Sequence, residues 1–417
     1  MSAPDGAPDE FRTPRPIAGW RVVAIAFWLA VFAWGLGFYS LSLYVHHLGE
    51  GGWPTAMLSA ATTGYFLLGA AAIGPVERAA ARWGRRRVAI AGALLLAGGV
   101  AALPRAVHPV ALALAYAAMA AGWAATSGTA ITQVIGAWFD ARRGLALNLA
   151  LTGASASGFL VIPPMAWAVA RWGAADGLAI VAAVLAAATV AGVAWNLPEP
   201  EPEPEPEPAR RGAASGPSPE AGAAAARPGV AAAADGPLAR TVALFAIGWL
   251  AQVAFLSQQM PLRVPKVGVA SATAAVAATT AASLVGRLML SVVIDRVDHR
   301  AATATSFLLQ AAGMALLLAS DAPAAVLAGC VLFGLSVGNV VMLPAIFAQR
   351  EFAPERYGAV VARVWTVGQT LFALGPLGAG ALLAAAGSPT PTIAACLAMQ
   401  VAAAALCAGT RAAPRRA

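Results

Sequence analysis

The segment WFDARRGLALNLALTGASASGFLVIPP, residues 138–164, gathers the charged residues Asp140, Arg142 and Arg143 in a short break and then continues without another charge as far as Arg171. About 20 consecutive apolar residues in a helix, at roughly 1.5 Å each, cross the roughly 30 Å of hydrocarbon in a bilayer. The uncharged run after Arg143 is longer than that. The segment therefore predicts a polar loop followed by a transmembrane helix.

The composition of the whole chain agrees with this local pattern. Of its 417 residues, 59% are hydrophobic and 11% are charged, whereas soluble domains average roughly 45–50% and about 25%. The pI near 10.2 does not predict nucleic-acid binding, because the basic residues lie in many short breaks rather than in one patch. No nucleophile–base set, metal-ligand cluster or phosphate-binding loop appears, so neither catalysis nor a metal or cofactor is predicted.

Apolar runs of membrane-crossing length recur along the chain. We predict an all-α integral membrane protein with 12 transmembrane helices in two six-helix bundles. The spans lie near 20–46, 55–76, 86–104, 109–137, 144–170, 174–196, 238–261, 269–294, 301–319, 323–348, 357–386 and 389–409. The predicted units are a tail at 1–19, a bundle at 20–196, a Pro/Glu and Ala/Gly-rich linker at 197–237, a bundle at 238–410 and a tail at 411–417.

The distribution of Lys and Arg sets the predicted orientation, because positively charged loops stay in the cytoplasm. Of the 27 Lys and Arg residues, Arg287 and Arg363 lie within predicted spans. One set of alternating loops, together with both termini, holds 21 of the others, and the opposite set holds four. The four are Arg105, Arg171, Arg263 and Lys266. We therefore predict that both termini and the linker face the cytoplasm.

Two pairs of loops recur at one constant offset. Arg82 follows the second predicted span and Arg296 follows the eighth, and these residues are 214 positions apart. Arg142 and Arg356, after the fourth and tenth spans, are also 214 positions apart. A duplicated helical unit is typical of secondary transporters, whose substrate site lies between the repeats. The offset therefore favours a transporter over a channel or a receptor.

A family resemblance is carried by three stretches: residues 138–164, GWPTAMLSAATTGYFLLGA at 52–70 and SLVGRLMLSVVIDRVDHR at 283–300. They resemble the major facilitator superfamily, and within it the monocarboxylate transporter-like branch that includes oxalate:formate antiporters. The resemblance implies a carrier, not an enzyme, that moves a small organic anion, a mono- or dicarboxylate, by alternating access. It implies a multi-pass protein of a bacterial inner membrane, and we expect a monomer in the lipid bilayer.

The same resemblance implies gating residues in the cytoplasmic loops. The superfamily motif G-x-L-x-D-R-x-G-R-R reads ERAAARWGRR at residues 77–86, so that Ala81 stands where the family has an Asp. In the second copy Asp295 keeps this position, where an Asp caps a helix and pairs with an Arg across the bundle. The residues expected at the gate are Arg82, Arg85, Arg142, Arg143, Asp295 and Arg296.

Arg287 lies inside the eighth predicted span, where an arginine costs about 2.5–3.5 kcal/mol on the insertion scale. Ser283, one turn before it, extends a polar stripe on the same face. The resemblance implies that Arg287 binds the carboxylate of the substrate. From the residues alone, the alternative is a structural role in which Arg287 pairs with the C-terminal end of a helix.

Other polar residues complete the predicted substrate site. Arg363 lies in the eleventh span with Thr366 on its face. We expect Arg363 either to bring a second guanidinium to the cavity or to hold the cytoplasmic gate through a carbonyl or Glu355. Such polar residues also form interhelical hydrogen bonds, worth about 0.6 kcal/mol each. Further cavity-lining positions are expected at Gln259, Asn148 and Tyr39.

The spans contain no acidic residue, because all 19 Asp and Glu residues lie in tails, in loops or at span ends. Proton carriers inside membranes are commonly carboxylates, so proton coupling of that kind is not predicted. Histidine is the side chain that usually changes charge near physiological pH, but His46 and His47, at the outer end of the first span, are expected to have no specific role. Two alternatives to an anion carrier stay open: an efflux carrier for a neutral or cationic compound, and a sensor that does not transport.

Overall fold

The structure, a computed structural model, describes residues 16–136, 138–139, 143–197, 236–294 and 296–408. Most of the two predicted tails, nearly all of the linker, and the predicted gate residues Arg142 and Asp295 lie outside the described residues. Arg143 begins a helix, but its side chain is also outside them. The predictions for these residues stay predictions.

Every regular element in the described residues is helical, as predicted. A helix pairs its own backbone N–H and C=O groups, which an apolar chain needs when no water is available to do so. The α-helices are α1 (Pro16–Trp34), α2 (Leu41–Glu50), α3 (Thr55–Trp83), α4 (Arg85–Ala102), α5 (Pro109–Thr126), α6 (Gly128–Gly136), α7 (Arg143–Asn196), α8 (Gly236–Ser257), α9 (Gln259–Val293), α10 (His299–Ala319), α11 (Pro323–Val337), α12 (Asn339–Glu351), α13 (Tyr357–Ala386) and α14 (Pro389–Ala408). A π-helical turn, Gly35–Tyr39, and two 3₁₀ turns, Leu103–Arg105 and Pro354–Arg356, lie between them.

Eleven helical segments among the described residues are long and apolar enough to cross a membrane. One of them, Leu145–Asn196, has 52 residues, which at about 1.5 Å each is more than twice the bilayer's hydrocarbon thickness. Gly173 bends it with φ 80° and ψ 166°, a backbone conformation that glycine adopts without strain. The fifth and sixth predicted spans therefore share one bent segment, and the count of twelve stays a prediction.

The boundary between the seventh and eighth predicted spans differs from the sequence-based expectation. A loop was expected between residues 261 and 269, whereas α9 runs through that stretch and bends at Gly268, where φ is 76°. The break from α8 falls earlier, at Gln258, whose φ of −110° and ψ of 9° are not helical. Residues 259–267 are therefore helical rather than a loop.

This first part of α9 packs between two buried apolar clusters. Met260 belongs to a cluster drawn mainly from residues 31–186, and Leu262 belongs to a cluster drawn from residues 251–396. We call the two parts of the chain before and after residues 198–235 the first and second halves. The first turns of α9 therefore lie in the seam between the halves.

Glycines let helices of the second half cross closely. A Cβ atom placed on Gly286 of α9 would lie 1.6 Å from the main-chain oxygen of Leu335 in α11. A Cβ on Gly334 of α11 would lie 2.3 Å from the main-chain oxygen of Thr279. Such approach increases van der Waals contact, which drives helix association where lipid removes the hydrophobic driving force. The crossing fixes the position of Arg287, one residue after Gly286.

Candidate substrate site

Arg287 lies in the seam between the halves. It is 9% exposed, and its Nη1 donates a hydrogen bond to the main-chain oxygen of Leu151 at 3.3 Å. Leu151 belongs to α7, eight residues after the start of that helix. The guanidinium therefore joins α9 of the second half to α7 of the first, and this contact is to the interior of a helix rather than to its C-terminal end.

Three residues surround the guanidinium and, with it, form what we call the Arg287 cluster. Tyr39, 7% exposed, lies beside the Ser283 hydroxyl and the charge of Arg287. Gly338 leaves space for them, because a Cβ atom there would lie 3.0 Å from Ser283 Oγ and 3.1 Å from Arg287 Nε. Ser283 Oγ is buried, and the Tyr39 hydroxyl is the polar group beside it. The cluster thus offers a guanidinium and two hydroxyls at one place.

The π-helical turn Gly35–Tyr39 brings Tyr39 to this place. A Cβ atom on Gly35 would lie 2.6 Å from Val161 Cγ2, and one on Gly37 would lie 2.6 Å from the Tyr65 hydroxyl. Glycine is thus required for this turn to approach its neighbours. The Tyr65 hydroxyl donates to the Gly37 carbonyl at 2.7 Å, which holds the turn in place. Single π turns inside α-helices occur frequently at functional sites.

The other predicted site residues do not all gather there. Gln259 is 1% exposed, and its Nε2 donates to Thr279 Oγ1 at 2.9 Å and to Cys330 Sγ at 3.4 Å. It therefore joins helices of the second half. Asn148 is half-buried in α7, and its main-chain oxygen accepts from Thr152 Oγ1 at 3.1 Å.

Arg363 and Thr366 lie exposed on α13. Within the described part of the chain, Arg363 makes neither a hydrogen bond nor an ion pair. Its exposed environment therefore differs from the buried environment of Arg287. The substrate contacts of Arg287, Arg363 and Thr366 stay predictions.

Arg263 is a residue that sequence reasoning placed wrongly. It was assigned to an outer loop, but it lies in the helical start of α9 and is 0% exposed. Within the described residues none of its three guanidinium nitrogens has a hydrogen-bond partner. Lys266, one turn farther, pairs with Asp321 at 2.5 Å. The assignment was wrong because the expected loop is helical, and the helix places the Arg263 side chain away from solvent.

The gate residues of the first half make contacts of different kinds. Arg85 donates to the side-chain oxygen of Gln133 in α6, which links α4 to α6. Arg82 Cζ lies 5.9 Å from the ring centroid of the neighbouring residue Trp83. In the second half, Arg296 is exposed. No carboxylate takes part in these contacts.

An ion pair at the corresponding end of the second half was not predicted. Arg300 in α10 pairs through Nε and Nη2 with the two carboxylate oxygens of Glu351 in α12. His299 Nε2 lies 2.5 Å from Glu351 Oε1. Two-pronged pairing of this kind gives both strength and directionality. The partners are 51 residues apart, so no local pattern could have revealed the pair.

At the opposite end, side chains close the seam between the halves. We call this end, which carries Glu50 and Gly268, the outer end, following the predicted orientation. Gln258 Nε2 donates to Ser59 Oγ at 2.9 Å, and Leu377 N donates to Thr63 Oγ1 at 3.1 Å. In the same seam the rings of Phe38 and Phe372 stack, with centroids 6.0 Å apart and planes 12° apart. The Arg287 cluster therefore lies inward of a closed outer end.

Three solved structures share this fold. A mutant of the nucleoside transporter NupG is 14% identical, with 94% of this chain and 100% of that chain covered and a TM-score of 0.71. A D-xylose–proton symporter is 14% identical, with 93% and 97% covered and a TM-score of 0.65. A bacterial homologue of the human lysosomal transporter Spinster, in an inward-facing, unoccupied conformation, is 12% identical, with 96% of each chain covered and a TM-score of 0.61. At these identities the likeness shows the fold alone.

The sequence comparisons are consistent with the structural ones. No curated protein matches the chain. The family model described as Major Facilitator Superfamily matches residues 23–376, which is most of the chain and extends through parts of both halves. The chain therefore belongs to the major facilitator superfamily, and it is a multi-pass membrane carrier for a small molecule, built for secondary transport by alternating access rather than for catalysis.

Proposed function

We propose that this carrier moves a small organic anion, a mono- or dicarboxylate, and that the Arg287 cluster binds its carboxylate. The observation that carries the proposal is the position of Arg287, buried in the seam and bonded to Leu151 of the other half. A planar guanidinium matches the geometry of a carboxylate and binds it through two parallel hydrogen bonds. The hydroxyls of Tyr39 and Ser283 are additional donors beside it.

Alternating access gives this placement its function. When the halves rock, groups on α7 and α9 change their separation, so the Arg287–Leu151 hydrogen bond is available in some states and not in others. A carboxylate that enters the seam accepts hydrogen bonds from the Arg287 guanidinium and takes the place of the Leu151 carbonyl. The substrate then links the two halves, and its charge compensates the guanidinium at a depth where burial is costly.

The finer assignments belong to the same proposal. We propose twelve spans, cytoplasmic termini, a bacterial inner membrane and a monomeric unit of transport, from the charge distribution and the family resemblance. We also propose an exchange of anions without an intramembrane carboxylate, because the predicted spans contain no acidic residue and Ser283, not an acid, lies one turn before Arg287. The anion class comes from the chemistry of the Arg287 cluster, not from the nucleosides or D-xylose named for the similar structures.

Counterflow in proteoliposomes tests the proposal. Labelled formate, acetate, lactate, oxalate and succinate are supplied outside vesicles that are loaded with the same unlabelled compound. We expect uptake of at least one carboxylate by the wild type, and an affinity about 10- to 150-fold lower in Arg287→Ala, because a hydrogen bond to a charged group is worth roughly 1.5–3 kcal/mol. Arg287→Lys should recover only part of the loss, since lysine lacks the planar fork.

The control is Arg171→Ala, which removes an exposed arginine far from Arg287 in the chain and should leave counterflow unchanged. Counterflow of no carboxylate, together with uptake of a neutral or cationic compound, would replace the proposal by the efflux alternative. Binding of a carboxylate without any exchange would identify a sensor. An Arg287→Ala protein that is folded and exchanges carboxylates normally would exclude Arg287 from the site.

A further inference from the structure

We propose that His46, His47 and Glu50, at the end of α2, form a binding site for a divalent transition-metal ion of the zinc class. One ligand atom from each of the three residues lies within 4.8 Å of the others. His46 Nε2 is 3.5 Å from Glu50 Oε1, and His47 Nδ1 is 3.0 Å from Glu50 Oε2. The sequence spacing of one and three residues did not suggest a metal site, because the side chains converge only once the last turn of α2 has formed.

These distances are close to what a metal ion needs. Zinc binds imidazole nitrogen and carboxylate oxygen at about 2.0–2.2 Å in tetrahedral geometry, which places neighbouring ligand atoms roughly 3.3 Å apart. The two histidine–Glu50 separations, one to each carboxylate oxygen, lie near that value. The three ligand atoms lie within 4.8 Å of one another, and rotation of the carboxylate and of the imidazole rings, whose centroids are 5.0 Å apart, brings them closer. Two imidazoles and one carboxylate favour zinc, nickel or copper over magnesium or calcium, which prefer oxygen ligands alone.

His46 gives an independent reason to expect a ligand. Its side chain is 9% exposed, and within the described residues its Nε2 is buried without a hydrogen-bond partner. A buried polar atom left in this way costs about 1–3 kcal/mol. A metal ion held by Nε2, together with Glu50, would remove that cost. Hydrogen bonds from both histidines to the Glu50 carboxylate do not remove this cost, because the geometry leaves His46 Nε2 without a hydrogen bond.

The position in the fold also suits a cation. The site lies in the last turn of α2, where the helix dipole places partial negative charge. His47 also lines a cavity of about 610 Å³, together with Gly52, Trp53, Pro104 and Val107. An ion and its remaining water ligands can therefore approach His47 from this cavity, and the Glu50 carboxylate is itself exposed. All three protein ligands come from α2, so metal binding is independent of the proposed substrate and of the state of the seam.

Metal titration of the purified full-length protein tests this proposal. The protein is purified without a polyhistidine tag, because such a tag would itself bind zinc. Binding of zinc chloride is measured by isothermal calorimetry and by thermal unfolding. We expect one zinc ion per chain and a raised melting temperature, with no shift for magnesium. Loss of a group that only orients a metal ligand typically weakens metal affinity 10- to 100-fold, so loss of a ligand should weaken it at least as much in His46→Ala, His47→Ala and Glu50→Gln.

A matched control and a variant that is safe for folding complete the design. His108→Ala removes an exposed outer histidine and should leave zinc binding unchanged. Glu50→Gln keeps the shape of a side chain that is 57% exposed, so it decides the question if His46→Ala does not fold. Co²⁺ added in place of zinc should give the visible absorption of nitrogen and oxygen coordination in the wild type and not in His46→Ala. Zinc binding that is absent, or equal in wild type and Glu50→Gln, overturns the proposal.

Discussion

Arg287 Nη1 and the main-chain oxygen of Leu151, 3.3 Å apart, form a hydrogen bond between the two halves of the carrier. The residues are separated by 136 positions in the chain, and neither is at the end of its helix. An arginine that bonds across a moving seam is affected by every change in the distance between the halves. The chemistry of the Arg287 cluster and the conformational change of transport are therefore linked at one residue.

Tyr39→Phe should weaken carboxylate binding without altering the fold. The change removes one hydroxyl beside Arg287 and keeps the buried ring, so a net loss of about 0.5–1.5 kcal/mol, roughly 2- to 13-fold in affinity, is expected. Anion-dependent thermal stabilisation of the purified protein measures it. Tyr357→Phe, at the start of α13, is the control and should bind normally. Unchanged anion affinity in Tyr39→Phe would remove Tyr39 from the site.

Gly380→Ala should open the outer end of the seam. A Cβ atom on Gly380 would lie 1.7 Å from Ser59 Oγ and 2.3 Å from Ser59 Cβ, so rotation of the serine side chain cannot relieve the clash and α3 and α13 must separate. Overpacking costs about 1–3 kcal/mol, equivalent to roughly a 5- to 150-fold shift towards the open state.

Labelling of a single cysteine measures this shift. Thr63→Cys in a cysteine-free background is exposed to a membrane-impermeant maleimide in intact cells, with and without Gly380→Ala. Gly378→Ala is the control, because a Cβ atom there meets nothing within 4 Å, and it should not change the labelling rate. Equal rates in the Gly380→Ala and Gly378→Ala proteins would contradict the expected closure at Ser59.

Arg263→Met should stabilise this conformation of the protein. Within the described residues the Arg263 guanidinium is buried and has no hydrogen-bond partner. Replacing even a buried ion pair by apolar groups of similar volume is often neutral or stabilising by about 1–4 kcal/mol. Thermal unfolding in detergent should therefore show a higher melting temperature. Arg105→Met is the comparison, since Arg105 is an exposed arginine paired with Asp176 and such pairs contribute little. A lower melting temperature in Arg263→Met than in Arg105→Met would show that Arg263 has a stabilising partner.

The excess of basic residues in one set of loops predicts that the linker faces the cytoplasm. Ser215→Cys, in a cysteine-free background, should therefore resist a membrane-impermeant thiol reagent in intact cells and react after permeabilisation. Val107→Cys, next to Arg105 at the outer end, is the complementary position, because Val107 is 88% exposed, and should react in intact cells. The reverse pattern would invert the assigned topology.

Features that depend on local composition could be predicted from the amino-acid sequence. Long uncharged runs such as the one after Arg143 must form helices in lipid, because the backbone has no other partner for its polar groups. The offset of 214 positions between Arg82 and Arg296, repeated between Arg142 and Arg356, likewise predicts a duplicated unit. It can be read from positions along the chain alone. The prediction of a membrane carrier with a family fold was confirmed for these reasons. The position of Arg287 inside an apolar run marked it as costly to bury, again from the chain alone.

Contacts between distant residues depend on how the helices pack, which no local pattern in the sequence predicts. Tyr39 lies beside Ser283 because glycines at positions 35 and 37 admit a π-helical turn, and Arg300 meets Glu351 across two helices. Arg263 is buried because the expected loop is helical up to Gly268. This helical segment packs between the two halves. The burial of a side chain and its hydrogen-bond partners depend on which helices pack around it. Neighbouring residues in the chain do not determine that packing.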